Sequence, residues 1–198
     1  MFTMKKFAVL AAAGFMAFSA ISCTDEEGTE GGGVVLSDKW DKSGTVELGG
    51  ASNADLGSFL DIDVGNPFTV YKKGQSAANN SKIDLIFDGN NLLTPEGCSS
   101  GTFCDLDEND AALVDVSSVS AIKAASVPSD IQDWVDSHLD ADGVPDDMLM
   151  NLIVSKVSAK KGGTYLVLTT GDNLALVVVG DDLSTASVTL SIGRTPLP

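Results

Sequence analysis

From residue 42 onward the chain moves between short alternating segments, short apolar runs and glycine- or asparagine-rich turns, a rhythm that predicts many brief strands. Residues 45–48 alternate weakly and predict a strand ending at Gly49-Gly50. GSFLDID at 57–63 predicts a second, with Phe59 and Asp61 on one face and Leu60 and Ile62 on the other. Residues 68–71 form a third short strand after the Gly65-Asn66-Pro67 turn, and 75–81 fit a single helical turn. KIDLIFD at 82–88 has a near-continuous apolar centre in Ile83, Leu85, Ile86 and Phe87, the pattern of a central strand covered on both faces. Residues 90–110 read as a long turn-rich loop.

Helical spacing appears at 129–139, where Ile131, Trp134, Val135 and Leu139 share one stripe and Ser129 or Asp130 can cap the start. Trp134 is then expected to anchor the core. Residues 148–158 fit a second helix or a strand. Beyond them, YLVLTT at 165–170 and LALVVV at 174–179 flank Gly171-Asp172-Asn173, a hairpin signal. In the last strand Val188, Leu190 and Ile192 alternate with Ser and Thr, which predicts one buried and one wet face. These elements predict an α+β fold, mostly antiparallel sheet with one or two helices in the middle of the chain, in a single domain at 37–198.

The first 36 residues follow a different pattern. Lys5 and Lys6 precede apolar and small residues from 7 to 20, a signal-peptide core too short to span a bilayer, which takes about 20 residues. The Ala20-Ile21-Ser22-Cys23 end resembles the bacterial lipoprotein signal, although leucine is usual where Ala20 stands. The resemblance implies that residues 1–22 are removed and that Cys23 is lipidated, anchoring the chain to a membrane. Ala20 and Ser22 also suit an ordinary signal peptidase, so a plain secreted protein is the alternative. Cys98 and Cys104 are expected to pair in a disulfide, leaving Cys23 over. Residues 23–36 contain TDEEGTEGGG, an acidic, glycine-rich tether. Its Asp25, Glu26 and Glu27 resemble the surface-export signal of lipoproteins of the Bacteroidota type.

Charge narrows the partners. Removing residues 1–22 takes two lysines and no acid, so ten basic and 28 acidic residues remain, a net charge of about −18. Such a chain has no basic face for nucleic acid. GSFLDID, SKIDLIFDG and GGTYLVLTTGDNLALVVVG, in that order, resemble a group of uncharacterised lipoproteins of Bacteroidota and related phyla. That resemblance implies an exported outer-membrane domain, surface-exposed in the reading of its acidic tether, and it brings no activity with it.

Candidate chemistry is sparse. Asp140, Asp142, Gly143 and Asp146 resemble the DxDGxPDD cores of calcium repeats of the thrombospondin type-3 kind, and more loosely an EF-hand loop. In an EF-hand register His138 and Leu149 fall where carboxylates normally stand, so the alternative is a turn capped by Asp146 or Asp147. Asp105, Asp107 and Asn109 form a weaker acidic run. His138 is the one histidine in the chain, and no nucleophile, zinc or phosphate-loop motif occurs. The expected role is therefore a non-catalytic binding or structural module with a surface glycan or protein as partner, Trp40 and Tyr71 being the aromatics to watch. The alternative is a hydrolase of extracellular glycan using aspartates such as Asp61 and Asp63.

Overall fold

A computed structural model describes residues 34–65, 67–98, 104 and 106–197. The expected signal peptide, Cys23 and most of the expected tether lie outside these residues, as does Asp105. Two antiparallel sheets pack face to face. The larger holds six strands: β1 (Lys42–Gly49), β6 (Ala112–Asp115), β7 (Ile153–Val154), β9 (Thr164–Leu168), β10 (Asn173–Val179) and β11 (Ser187–Pro196), in the order β1-β11-β10-β9-β6-β7. The smaller holds β2 (Phe59–Asp61), β3 (Thr69–Tyr71), β4 (Leu85–Phe87), β5 (Asn91–Leu93) and β8 (Lys156–Ser158), in the order β3-β2-β4-β5-β8.

Three helices are described and all are short: α1 (Lys73–Ser76), α2 (Pro128–Asp136) and α3 (Asp147–Leu152). They do not form a central layer. The α+β expectation thus resolves into a sheet-on-sheet sandwich with α2 and α3 laid on one outer face.

Burial explains the composition of the strands. The inter-sheet core takes Leu48, Val188, Leu190 and Ile192 from one side of the large sheet, with Ala175, Val177 and Val179 of β10. Leu60, Leu85, Phe87 and Leu92 meet them from the small sheet. Alternate residues of β10, Leu174, Leu176 and Val178, face the opposite way and are covered by Ile131 and Val135 of α2 and Leu149 of α3. A strand sandwiched between two apolar layers must be apolar at every position, which is why LALVVV does not alternate.

The same logic holds for β4, where Ile86 joins Phe59, Leu93 and Cys104 in a third cluster outside the small sheet. The Cys98–Cys104 disulfide, with Cα atoms 5.5 Å apart, caps that cluster. It therefore completes a core as well as closing a loop.

Several expectations change. The long loop at 90–110 contains β5, which pairs with both β4 and β8, and β6 went unread because ALVD is too short to show a period. Residues 148–158 supply a helix and then two strands, one to each sheet. Helix α2 starts one residue before the predicted span, with Pro128 in its first turn and Asp130 accepting from the Val127 N–H at 3.3 Å. Trp134 is only half-buried at the edge of the core, against the ring of His138. The outer face of β11 is not wet throughout: Ser191 is 1% exposed, and Trp40 lies over Gly193. A Cβ there would sit 2.5 Å from the indole, so glycine is what admits Trp40.

Candidate functional site

Three aspartates converge where the end of β2, the start of β4 and the β9–β10 turn meet. Asp61 closes β2. Its Oδ1 accepts from the backbone N–H groups of Asp63 (3.0 Å) and Val64 (3.1 Å), ending the strand in a local turn, and its Oδ2 accepts from the Tyr71 hydroxyl at 3.2 Å. Two residues on, Asp63 leaves its own sheet. It accepts from Thr169 Oγ1 at 2.5 Å, Gly171 N and Asn173 Nδ2 at 2.7 Å each, and Thr170 Oγ1 at 3.3 Å. Gly171 permits this approach, since a Cβ there would stand 2.5 Å from Asp63 Oδ2.

Asp84 bridges the two sheets. Its Oδ2 accepts from Ile62 N and its Oδ1 from Thr170 N, both at 2.7 Å. Arg194 of β11 completes the junction by donating to the carbonyls of Ile62 and Asp63.

Burial sets the electrostatics. Asp61 and Asp84 are both 0% exposed. Desolvation, reinforced by the charge of Asp63, pushes the Asp84 pKa up to about 7, against the opposing pull of its two backbone hydrogen bonds. Asp61 is also raised by burial, offset in part by the Tyr71 hydroxyl.

One ligand oxygen from each of the three aspartates lies within 4.8 Å of the others, near enough to share one cation. The donors already present limit that use. Asp61 accepts three hydrogen bonds, Asp63 four and Asp84 two, nine in total. Three carboxylates offer about twelve lone-pair positions, so about three remain, and a calcium ion there would draw its further oxygens from backbone carbonyls or water. What the arrangement does best is tie one sheet to the other.

The predicted calcium loop is built differently. Asp140 Oδ1 accepts from the N–H groups of Asp142 and Val144, both at 2.9 Å. Asp146 is the N-cap of α3, accepting from Leu149 N at 2.8 Å, and its other oxygen lies 2.8 Å from His138 Nδ1. That contact is the leading cause of its lowered pKa. Among the described residues, the group of three close metal-type ligands is Asp61, Asp63 and Asp84, and it does not include Asp140, Asp142 or Asp146.

The weaker run also serves the fold. Asn109 Nδ2 donates to the carbonyls of Asn80 and Ile83, and the carbonyl of Asp107 accepts from Asn80. Trp40 is buried, and Tyr71 gives its hydroxyl to Asp61. Asp84 is the residue sequence reasoning passed over. Its signal was an acid set between Ile83 and the apolar run Leu85–Phe87, where a buried carboxyl must be paired or neutral. No family model, curated protein or solved structure matches this chain.

Proposed function

We propose that the chain is an exported outer-membrane lipoprotein, held by acyl chains on Cys23 and surface-exposed, whose sandwich domain acts by binding or as a structural element. The observation that carries the anchor is the Cys98–Cys104 disulfide. It accounts for two of the three cysteines and leaves Cys23, at the end of the signal-like segment, for lipid. A disulfide also suits an oxidising compartment outside the cytoplasm. Labelling with radioactive palmitate tests the anchor: incorporation into the wild type and its loss in Cys23→Ser is the expected result. An unlabelled, freely secreted protein overturns it.

The non-catalytic reading draws on the aspartate junction. Asp61 and Asp84 are fully buried and Asp63 is engaged by four donors, so their carboxylates hold the fold and offer little to a polymer. The partner, a surface glycan or protein, would meet another part of the domain. A glycan hydrolase is the alternative, and one feature favours it: Asp84, its pKa pushed up to about 7 by burial, lies close to a second carboxylate, as acid–base pairs do. Release of reducing ends from soluble polysaccharide, abolished in a folded Asp63→Asn variant, would establish that activity.

A further inference from the structure

Four strands stand at the edges of the two sheets, and β1 is unlike the rest. β7 has two residues, and β3 and β8 have three each. Edges that short offer little to an approaching strand. β1 has eight residues and no proline, and its register against β11 runs unbroken from Lys42 to Gly49.

Backbone groups alternate in direction along an antiparallel strand. The Gly49 N–H turns away from β11 and donates to the Gly57 carbonyl at 2.8 Å. Thr189, opposite Glu47, has its carbonyl on the other side of β11, accepting from Gly180 N at 2.8 Å. Ser43, Thr45 and Glu47 therefore also direct their N–H and C=O groups out of the sheet edge. All three residues are exposed, and among the described residues these backbone groups have no hydrogen-bond partner.

We infer that β1 pairs antiparallel with β1 of a second copy of this chain, joining two six-stranded sheets across a two-fold axis. The edge is complementary to itself. An axis at Thr45 sets Ser43 opposite the second copy's Glu47 and Thr45 opposite its Thr45, so every outward residue meets an outward residue. Three such pairs exchange about six backbone hydrogen bonds. No charged side chain stands directly opposite a like one, in a chain whose net charge is −16. On the inner face, half-buried Val46 meets Gly44, which has no side chain to obstruct it. The pairing requires neither the anchor nor the outside partner of the proposed function.

Sedimentation equilibrium of the full-length chain in density-matched detergent tests it, with amide hydrogen exchange followed over the same concentrations. The expected result is a monomer–dimer equilibrium with a Kd of about 100 µM or tighter, as suits a small interface. Exchange in residues 42–49 should slow as the dimer fills. Thr45→Lys sets two like charges opposite each other, and Thr45→Pro removes an outward N–H that the β1–β11 ladder does not use. Each should weaken dimerisation about tenfold or more. Thr45 is exposed, so Thr45→Lys leaves the core alone and the melting temperature of dilute protein unchanged. A monomer up to about 1 mM, a dimer that survives either variant, a dimer without slowed exchange at 42–49, or growth beyond the dimer would each overturn the inference.

Discussion

Asp61 and Asp84 are sealed between two sheets, whereas Asp140, Asp142 and Asp146 stand exposed in the loop joining α2 to α3. The residue type is the same and the consequences are opposite. In the loop, the hydrogen bonds recorded for Asp140 and Asp146 reach no more than eight residues along the chain. At the junction, Asp63 and Asp84 reach across 86 to 110 residues to the β9–β10 turn. Loop aspartates finish a local turn that water would otherwise satisfy. Asp84 replaces water for the buried Ile62 N–H and the part-buried Thr170 N–H, so its loss leaves donors with little access to water unpaired.

The largest effect should come from Asp84→Ala, which strands the N–H groups of Ile62 and Thr170. A loss of about 4 kcal/mol is expected by urea unfolding, from about 1–3 kcal/mol for each unsatisfied buried donor. Asp140→Ala should cost less than about 1 kcal/mol, because water replaces an exposed turn hydrogen bond. Equal losses in the two variants would remove the distinction between junction and loop.

Gly171→Ala attacks the junction from the other sheet. The added methyl collides with Asp63 Oδ2, and a loss of about 2 kcal/mol is expected, within the range for overpacking. If Asp63→Ala relieves that loss in a double-mutant cycle, the collision is its cause.

Titration should separate the two clusters by sign. Asp84 holds its proton more tightly folded than unfolded, so its contribution is full below pH ~3.9, the ordinary unfolded aspartate value. That contribution is lost as pH rises through about 7. Asp146, lowered by His138, behaves in the opposite way: its contribution is present above the unfolded value and lost as pH falls through its folded one. Denaturation curves of wild type, Asp84→Asn and Asp146→Ala between pH 3 and 8 check both signs. A pH 4 to 7 slope that survives in Asp84→Asn would assign the titration to another group.

The smallest expected effect is that of calcium. At millimolar concentration a melting shift under about 1 °C is expected, since the junction carboxylates already accept nine hydrogen bonds and the loop has no carboxylate at either end of an EF-hand register. A larger shift lost in Asp142→Ala would restore the loop as a calcium site. One lost in Asp84→Asn would place the ion at the junction.

Local pattern carried much of this fold. KIDLIFD announced a strand covered on both faces, LALVVV announced one arm of a hairpin, and the disulfide followed from cysteine count and compartment. β5 and β6 were not legible, because three or four residues show no period; β5 pairs with nearby β4, but β8 beside it and the partners of β6 lie far away in sequence. The acidic loop attracted attention for its spacing, yet the structure gathers a different set of aspartates.

Periodicity and composition by themselves determined the strand-rich class, the helix carrying Ile131 and Val135 and the net acidity, while the expectation of a lipid-anchored N-terminus came from the resemblance at Ala20-Ile21-Ser22-Cys23. Tertiary structure alone decided which sheet each strand joins and that the helices lie outside. It also decided that Asp63 and Asp84 meet at all. Sequence records which residues are apolar or acidic within a turn or two, but desolvation and hydrogen bonding at the junction depend on backbone and side-chain groups 86 to 110 residues away.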